Sequence, residues 1–278
     1  MEDRSEMETL SRKAYSTRWR KNIFYAICGL IILFLNSPIF IVFPMSFSSA
    51  SYLVFPPPGY SFQWYLKFFQ RPDWIQSTWY SFKIALSVTL ISTTLGTLAS
   101  IGFVRGKFRG KGLISTFLIS PLIIPYVIIA LASYFFLAKF RLVGSQIGLV
   151  LIHTVIAVPI VFIIVSNTFK SFDISLEKAA MILGANRIRT FFKVTLPLIK
   201  AGVMSGAFFS FLISFDELII VLFIGGVKVV TLPRRMWEGV RDETDPTITA
   251  VATILILLSI LVLMSIMMIQ TISGKKRI

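Results

Sequence analysis

A chain of 278 residues with 55% hydrophobic side chains and a mean hydropathy of +0.80 cannot hide its apolar surface in one soluble core. Its formal net charge of +15, from 28 Lys and Arg against 13 Asp and Glu, raises the question of nucleic acid. The cations are sorted into short segments between apolar runs instead, which excludes a soluble domain and places the chain in a bilayer.

The basic segment 1–22 precedes the first of six apolar runs, about Ile23 to Phe47. About twenty apolar residues cross roughly 30 Å of hydrocarbon at 1.5 Å per residue. The other five runs are about Tyr80 to Val104, Leu113 to Phe136, Ser145 to Val165, Gly202 to Ile224 and Thr247 to Ile269. This pattern predicts an all-α integral membrane protein with six transmembrane helices over 23–272 and a basic tail at 273–278. The first run is roughly twice the 7 to 15 residues of a secretory signal core, so it reads as a retained anchor. Cys28, the single cysteine, lies inside it and can form no intrachain disulfide.

Nineteen of the 28 cations fall in 1–22, 105–112, 167–200 and 273–278. Basic residues near span ends stay in the cytoplasm, so both termini and the 167–200 loop are expected there. Scattered aromatics such as Tyr15, Trp19, Phe191 and Phe192 make no platform for stacking bases, which argues against a nucleic-acid partner.

Between the first two spans, Phe55, Pro56, Pro57, Pro58, Gly59 and Tyr60 precede Trp64, Tyr65, Phe68 and Phe69. Stiff prolines followed by aromatics suit a lid, a docking surface for an external binding protein, or an interfacial anchor in contact with lipid. Pro121, Pro125 and Pro159 fall in the third and fourth spans, where a missing backbone donor bends a helix.

Within the spans the acid and imidazole groups are His153, Asp216 and Glu217. Charged groups at such depth are costly and usually face a pathway or a partner. Glu217 and His153 are expected at comparable depths, close enough to meet. Glu217 extends a stripe of small residues, Gly206, Ser210 and Ser214, while Asp216 shares a face with Phe209, Leu212 and Ile220. Lys228, Arg234, Arg235 and Arg241 then balance Glu238, Asp242, Glu243 and Asp245 in the loop from Gly225 to Pro246. Such balance suits reversible contact with a soluble partner, or a solvated loop.

In the 167–200 loop, Leu176, Ala179, Ala180 and Leu183 recur at helical spacing. Asp173 or Ser175 can cap the start of a short helix and Gly184 can end it in the left-handed conformation. Arg187, Arg189 and Lys193 lie on a second short helix followed by Pro197.

The run LEKAAMILGANRIRTFFKVTLP resembles the EAA loop of permease subunits in binding-protein-dependent ABC importers. That pattern is Glu-Ala-Ala, three residues, Gly, nine residues, Ile, any residue, Leu-Pro. Ala179, Ala180, Gly184, Leu196 and Pro197 are in register, Val194 replaces the isoleucine, and Lys178 stands at the glutamate position with Glu177 one residue earlier. PLIIPYVIIALA and SFDEL are similar to the polyamine-type members, with Tyr126 where an acidic residue is expected.

The resemblance implies a type I ABC importer permease fold with a cytoplasmic coupling helix, in a bacterial inner membrane. It implies one half of a pathway for a small polar solute, with a polyamine-like cation as one candidate. The implied partners are an ABC ATPase dimer that uses ATP and Mg, a second identical or homologous permease subunit, an external substrate-binding protein and membrane lipid. Glu177, Lys178, Ala179, Ala180, Gly184, Leu196 and Pro197 would contact the ATPase. Asp216, Glu217, His153 and Tyr126 are the pathway or gate residues. An autonomous proton- or ion-coupled transporter using Asp216, Glu217 and His153 is the alternative reading.

No phosphate-binding loop is present. Gly102 to Lys107 and Gly106 to Lys111 each lack one intervening residue and the hydroxyl after the lysine. Neither metal-ligand spacing nor a nucleophile triad occurs around the lone histidine, so no catalysis and no bound metal or cofactor are expected of this chain.

Overall fold

The computed structural model describes residues 2–171, 173–243 and 245–275, and every described element longer than a bridge pair is helical. In chain order the helices are α1 (Glu2–Met45), α2 (Gln63–Gln70), α3 (Pro72–Arg105), α4 (Lys111–Ile119), α5 (Tyr126–Lys139) and α6 (Gln146–Lys170). There follow α7 (Ser175–Ile182), α8 (Arg187–Thr190), α9 (Leu196–Phe215), α10 (Ile219–Ile224), α11 (Leu232–Glu238) and α12 (Thr247–Lys275). Contacts divide the chain into two units, Met1–Gln70 with Glu243–Ile278, and Arg71–Asp242.

Among the described residues, four helices are long and apolar enough to cross a membrane: Lys21–Met45, Pro72–Arg105, Gln146–Lys170 and Arg187–Phe215. The third expected span is broken, with Lys111–Leu122 meeting Tyr126–Lys139 at 96°. Pro125 explains the site of the break, because it lacks an amide proton and its φ of −55° and ψ of 133° are extended. Counted as one span, the pair is the fifth crossing. At the place expected for the sixth, α12 runs on from its apolar part, Thr247–Leu261. Pro159, expected to bend the fourth span, sits inside the unbroken α6. The last residues of the basic tail, 276–278, lie outside the described residues.

In the larger unit α3, α6 and α9 form a bundle made close by small residues. A Cβ on Gly96 would lie 2.7 Å from Val161 Cβ, and one on Gly206 3.3 Å from a Val161 methyl. Gly202 faces Thr168 with no room for a side chain. Ser92 and Ser210 hydroxyls bond across α3 and α9 at 2.6 Å, and Ser100 donates to the Phe162 carbonyl at 3.1 Å. Without a hydrophobic drive between helices in lipid, such close packing and hydroxyl bonds hold the bundle. Apolar clusters flank the seam: Val161, Val165, Phe169 and Ile199 at one end, and Ile84, Val88, Ile156 and Val221 among those at the other.

In the smaller unit the aromatic segment folds back on α1. Trp64 and Phe68 of α2 are buried, Trp64 Nε1 donates to the Ser48 carbonyl at 2.7 Å, and the Ser46 and Tyr65 hydroxyls are 2.7 Å apart. Asp245 caps α12 by accepting from the Thr247 amide at 3.0 Å and pairs with Lys67 at 3.3 Å. Burial pushes the Asp245 carboxyl up, but the Thr247 hydrogen bonds and the Lys67 charge outweigh it and hold it below the usual range.

Candidate functional site

The 167–200 loop is built around one buried acid. Asp173 and Glu177 are the only acids between Asp73 and Asp216. Asp173 is spent locally: its carboxylate accepts from the Ser175 amide at 2.9 Å and the Ser175 hydroxyl at 2.6 Å, closing the first turn of α7. Those hydrogen bonds, aided by Lys178, hold the Asp173 carboxyl below its ordinary value.

Glu177 is 6% exposed and turns inward. Its carboxylate forms an ion pair with Arg105 at the end of α3 and accepts from the Thr195 hydroxyl just before α9. Arg105 in turn lies over the Phe169 ring of α6, 5.2 Å from its centroid. One carboxylate therefore fastens α7 to the end of α3 and the start of α9, and Arg105 extends the contact to α6. The sequence pattern did not single out Arg105 or Thr195; the available signal was the scarcity of acids, which leaves Glu177 as the one free to answer Arg105.

The outer surface of α7 carries what the spacing predicts, and more. Leu176, Ala179 and Leu183 are exposed and Ala180 is half-buried. Met181 and Ile182 are exposed too, with Ile182 and Leu183 at 84% and 87%, and Lys178 lies on the same open side. Gly184 ends the helix at φ +88°. Its amide bonds to the Met181 carbonyl at 3.0 Å while Ala185 bonds back to Ala180 at 3.1 Å, a paired closure that requires a left-handed residue at 184.

Beyond it, the Asn186 side chain caps α8 by accepting from the Arg189 amide at 2.8 Å. The expected separate second helix before Pro197 is instead continuous with α9 through a widened turn, Phe191–Thr195. Pro197 cannot donate back to Lys193, and the widened turn sits where that bond is missing. Leu196 and Pro197 thus form the first turn of α9.

The intramembrane groups divide differently from the simple pairing expected. His153 is fully buried, and its Nδ1 lies 2.9 Å from the Ser214 hydroxyl of α9. No hydrogen bond joins it to Glu217 among the described residues. Glu217 continues the buried stripe of Gly206, Ser210 and Ser214 as expected, and its carboxylate accepts from the Ile220 amide at 2.9 Å.

That bond marks a second broken span: α9 stops at Phe215 and α10 restarts at Ile219. The break corrects the face assigned to Asp216. Phe209 and Leu212 are exposed with it, but Ile220, beyond the break, is fully buried. Asp216 is the exposed acid of the two. Tyr126 opens α5 beside the other break, packed on the apolar cluster that includes Ile220.

The balanced loop beyond α10 pairs charges within itself and with Asp73 of α3. Arg234 bonds Glu238 at 2.9 Å, and Arg235 bridges Glu238 and Asp73. The side chains of Asp242 and Glu243 lie outside the described residues. No group of three or more His, Cys, Asp or Glu positioned for a metal occurs among the described residues.

These features agree with comparisons to known proteins. The model of the family described as "Binding-protein-dependent transport system inner membrane component" matches residues 92–277. The chain is 32% identical over 231 residues to the spermidine/putrescine transport system permease protein PotC of Haemophilus influenzae, covering 82% of this chain and 88% of that one. It is 32% identical over 230 residues to the putrescine transport system permease protein PotI of Escherichia coli K12, covering 80% and 82%. Among solved structures, a bacterial ABC transporter involved in import of the acidic polysaccharide alginate superposes with a TM-score of 0.62 at 18% identity, over 92% of this chain and 97% of that one. That last likeness is one of fold. A broken-helix bundle with an EAA-type loop, matched by that model over two thirds of its length, belongs to the inner-membrane component family of binding-protein-dependent transport systems: the chain is a type I ABC importer permease.

Proposed function

We propose that this chain forms half of the translocation pathway of an ATP-driven importer for polyamine-like cations. The cargo class is supported by the names of the relatives 32% identical to it. The ATP-driven mode rests on one observation: α7 leaves Leu176, Met181, Ile182 and Leu183 uncovered while Glu177 fixes its inner side. A patch of large apolar side chains on a loop helix needs a partner to cover it. An ABC ATPase dimer, using ATP and Mg, is that partner, with Ala179 and Ala180 allowing close approach and Gly184 setting the turn.

In this reading the termini and α7 lie in the cytosol of a bacterial inner membrane, and a second permease subunit completes the pore. An external binding protein delivers the solute. Exposed Asp216, at the break between α9 and α10, meets the cation, while Glu217 and His153 hold that break in shape. The chain itself binds no cofactor and catalyses nothing.

The test is reconstitution with the ATPase, the second permease subunit and the binding protein in proteoliposomes, with labelled putrescine outside. Uptake must require ATP, and Ile182→Asp with Leu183→Asp must abolish both uptake and ATPase copurification. Putrescine flux by the lone chain under a proton gradient would refute the reading.

A further inference from the structure

Lys83 is a cation inside an apolar span that no feature above employs. It sits one turn below Tyr80, roughly 5 Å beneath the edge of the α3 apolar run. Trp79 lies one turn above, with the Lys83 ammonium 5.5 Å from its ring centroid, and Trp79 stacks on Phe82 at 5.8 Å and 6°. Aromatic rings of this kind collect at the membrane–water boundary, and a lysine there extends its charge toward water. Lys83 makes no ion pair among the described residues. No acid occurs anywhere from 74 to 172.

The lysine borders a cavity of about 420 Å³ between α3 and α6. Lys83, Ser87 and Gln146 line one end; Ile91, Val150 and Leu151 line the other. The two helices run in the same direction, since Gly96 packs on Val161 in step with Lys83 facing Gln146. The cavity is therefore graded along the membrane normal, with a cationic, hydrogen-bonding end at headgroup depth and an apolar end about 12 Å deeper, from the eight residues between Lys83 and Ile91.

We infer that this groove binds an anionic phospholipid, its phosphate on Lys83 and Gln146 and an acyl chain along Ile91, Val150 and Leu151. The unopposed positive charge selects the anionic class: a zwitterionic headgroup brings its own ammonium to the same place, and a cationic solute is repelled.

Native mass spectrometry of the delipidated full chain titrated with phosphatidylglycerol or phosphatidylethanolamine tests this. The expected result is one phosphatidylglycerol bound at least tenfold more tightly than phosphatidylethanolamine. Lys83→Met should erase that preference. Leu151→Trp, which fills the apolar end and leaves the charge, should weaken phosphatidylglycerol about tenfold as well. An unchanged preference in Lys83→Met overturns the assignment, and so does full binding by Leu151→Trp, which would reduce it to surface charge. Disulfide crosslinks between two Ser87→Cys copies that persist in saturating phosphatidylglycerol overturn it too, giving the groove to a second subunit.

Discussion

The carboxylate of Glu177 and the guanidinium of Arg105, 72 residues apart in the chain, form the ion pair that seats α7 against the end of α3. Removing one partner of a buried pair costs roughly 3–5 kcal/mol. The Arg105 side chain retains 29% of its exposure, so about 2 kcal/mol is the better expectation here. Arg105→Ala or Glu177→Ala should raise amide exchange across 175–183 by about tenfold or more and depress uptake. The swap of both residues, Glu177→Arg with Arg105→Glu, should recover part of the loss; in a double-mutant cycle, simple additivity would show that the two do not act as a pair.

Gly184 tests the loop from the other end. At φ +88° a side chain is strained by roughly 1–2 kcal/mol, so Gly184→Val should unwind the end of α7. ATPase copurification is expected to fall sharply while the melting of the membrane bundle changes little. Gly29, where an added Cβ meets nothing within 4 Å, is the control: Gly29→Ala should be neutral or slightly stabilising.

The close seam of the bundle predicts the opposite separation. Gly202→Leu must drive a side chain into Thr168, and overpacking of this kind costs typically 1–3 kcal/mol. Thermal unfolding in detergent should shift down by several degrees, and an unshifted transition would mean that α6 and α9 are not in contact there.

Asp216 and Glu217 should differ in kind. Asp216→Asn removes an exposed charge and is expected to lower the apparent affinity for putrescine several-fold without changing stability. Glu217→Ala removes the acceptor for the Ile220 amide and should cost about 1 kcal/mol of stability. Glu217→Gln, which keeps an oxygen at that position, should be milder than Glu217→Ala.

For Asp245 the sign is fixed by its direction of shift. A carboxyl held below its unfolded value of 3.8 stabilises the fold at any pH above that value, and the contribution disappears as pH falls through the lower folded value. The melting temperature should be indifferent to Asp245 titration between pH 7 and 5 and drop below about pH 4. Asp245→Asn should flatten that acid limb.

Hydropathy made the spans legible, because a run of apolar residues long enough to cross a bilayer leaves little else for the chain to do. The break at Pro125 was half visible: a missing donor marks where a helix yields, while the 96° turn depends on how α5 packs against α10 and the apolar cluster. The break after Phe215 carried no warning, since Ser-Phe-Asp-Glu-Leu holds neither glycine nor proline. It exists because Glu217 caps the restart by accepting from the Ile220 amide, a use for an intramembrane acid that composition cannot separate from service to a solute. The loop motif located α7 correctly, but spacing alone could not reveal that Glu177 looks inward.

Glu177 answers to Arg105 on one side and Thr195 on the other, and Gly96, Gly202 and Gly206 leave the helices beyond them no gap to close up. A machine linkage joined this way has no backlash: a push on α7 is delivered to two neighbouring rods at once, and none of the stroke is lost in taking up play. The stiffness lies in a single acid, so loosening one side chain would leave every part intact and the gearing disengaged.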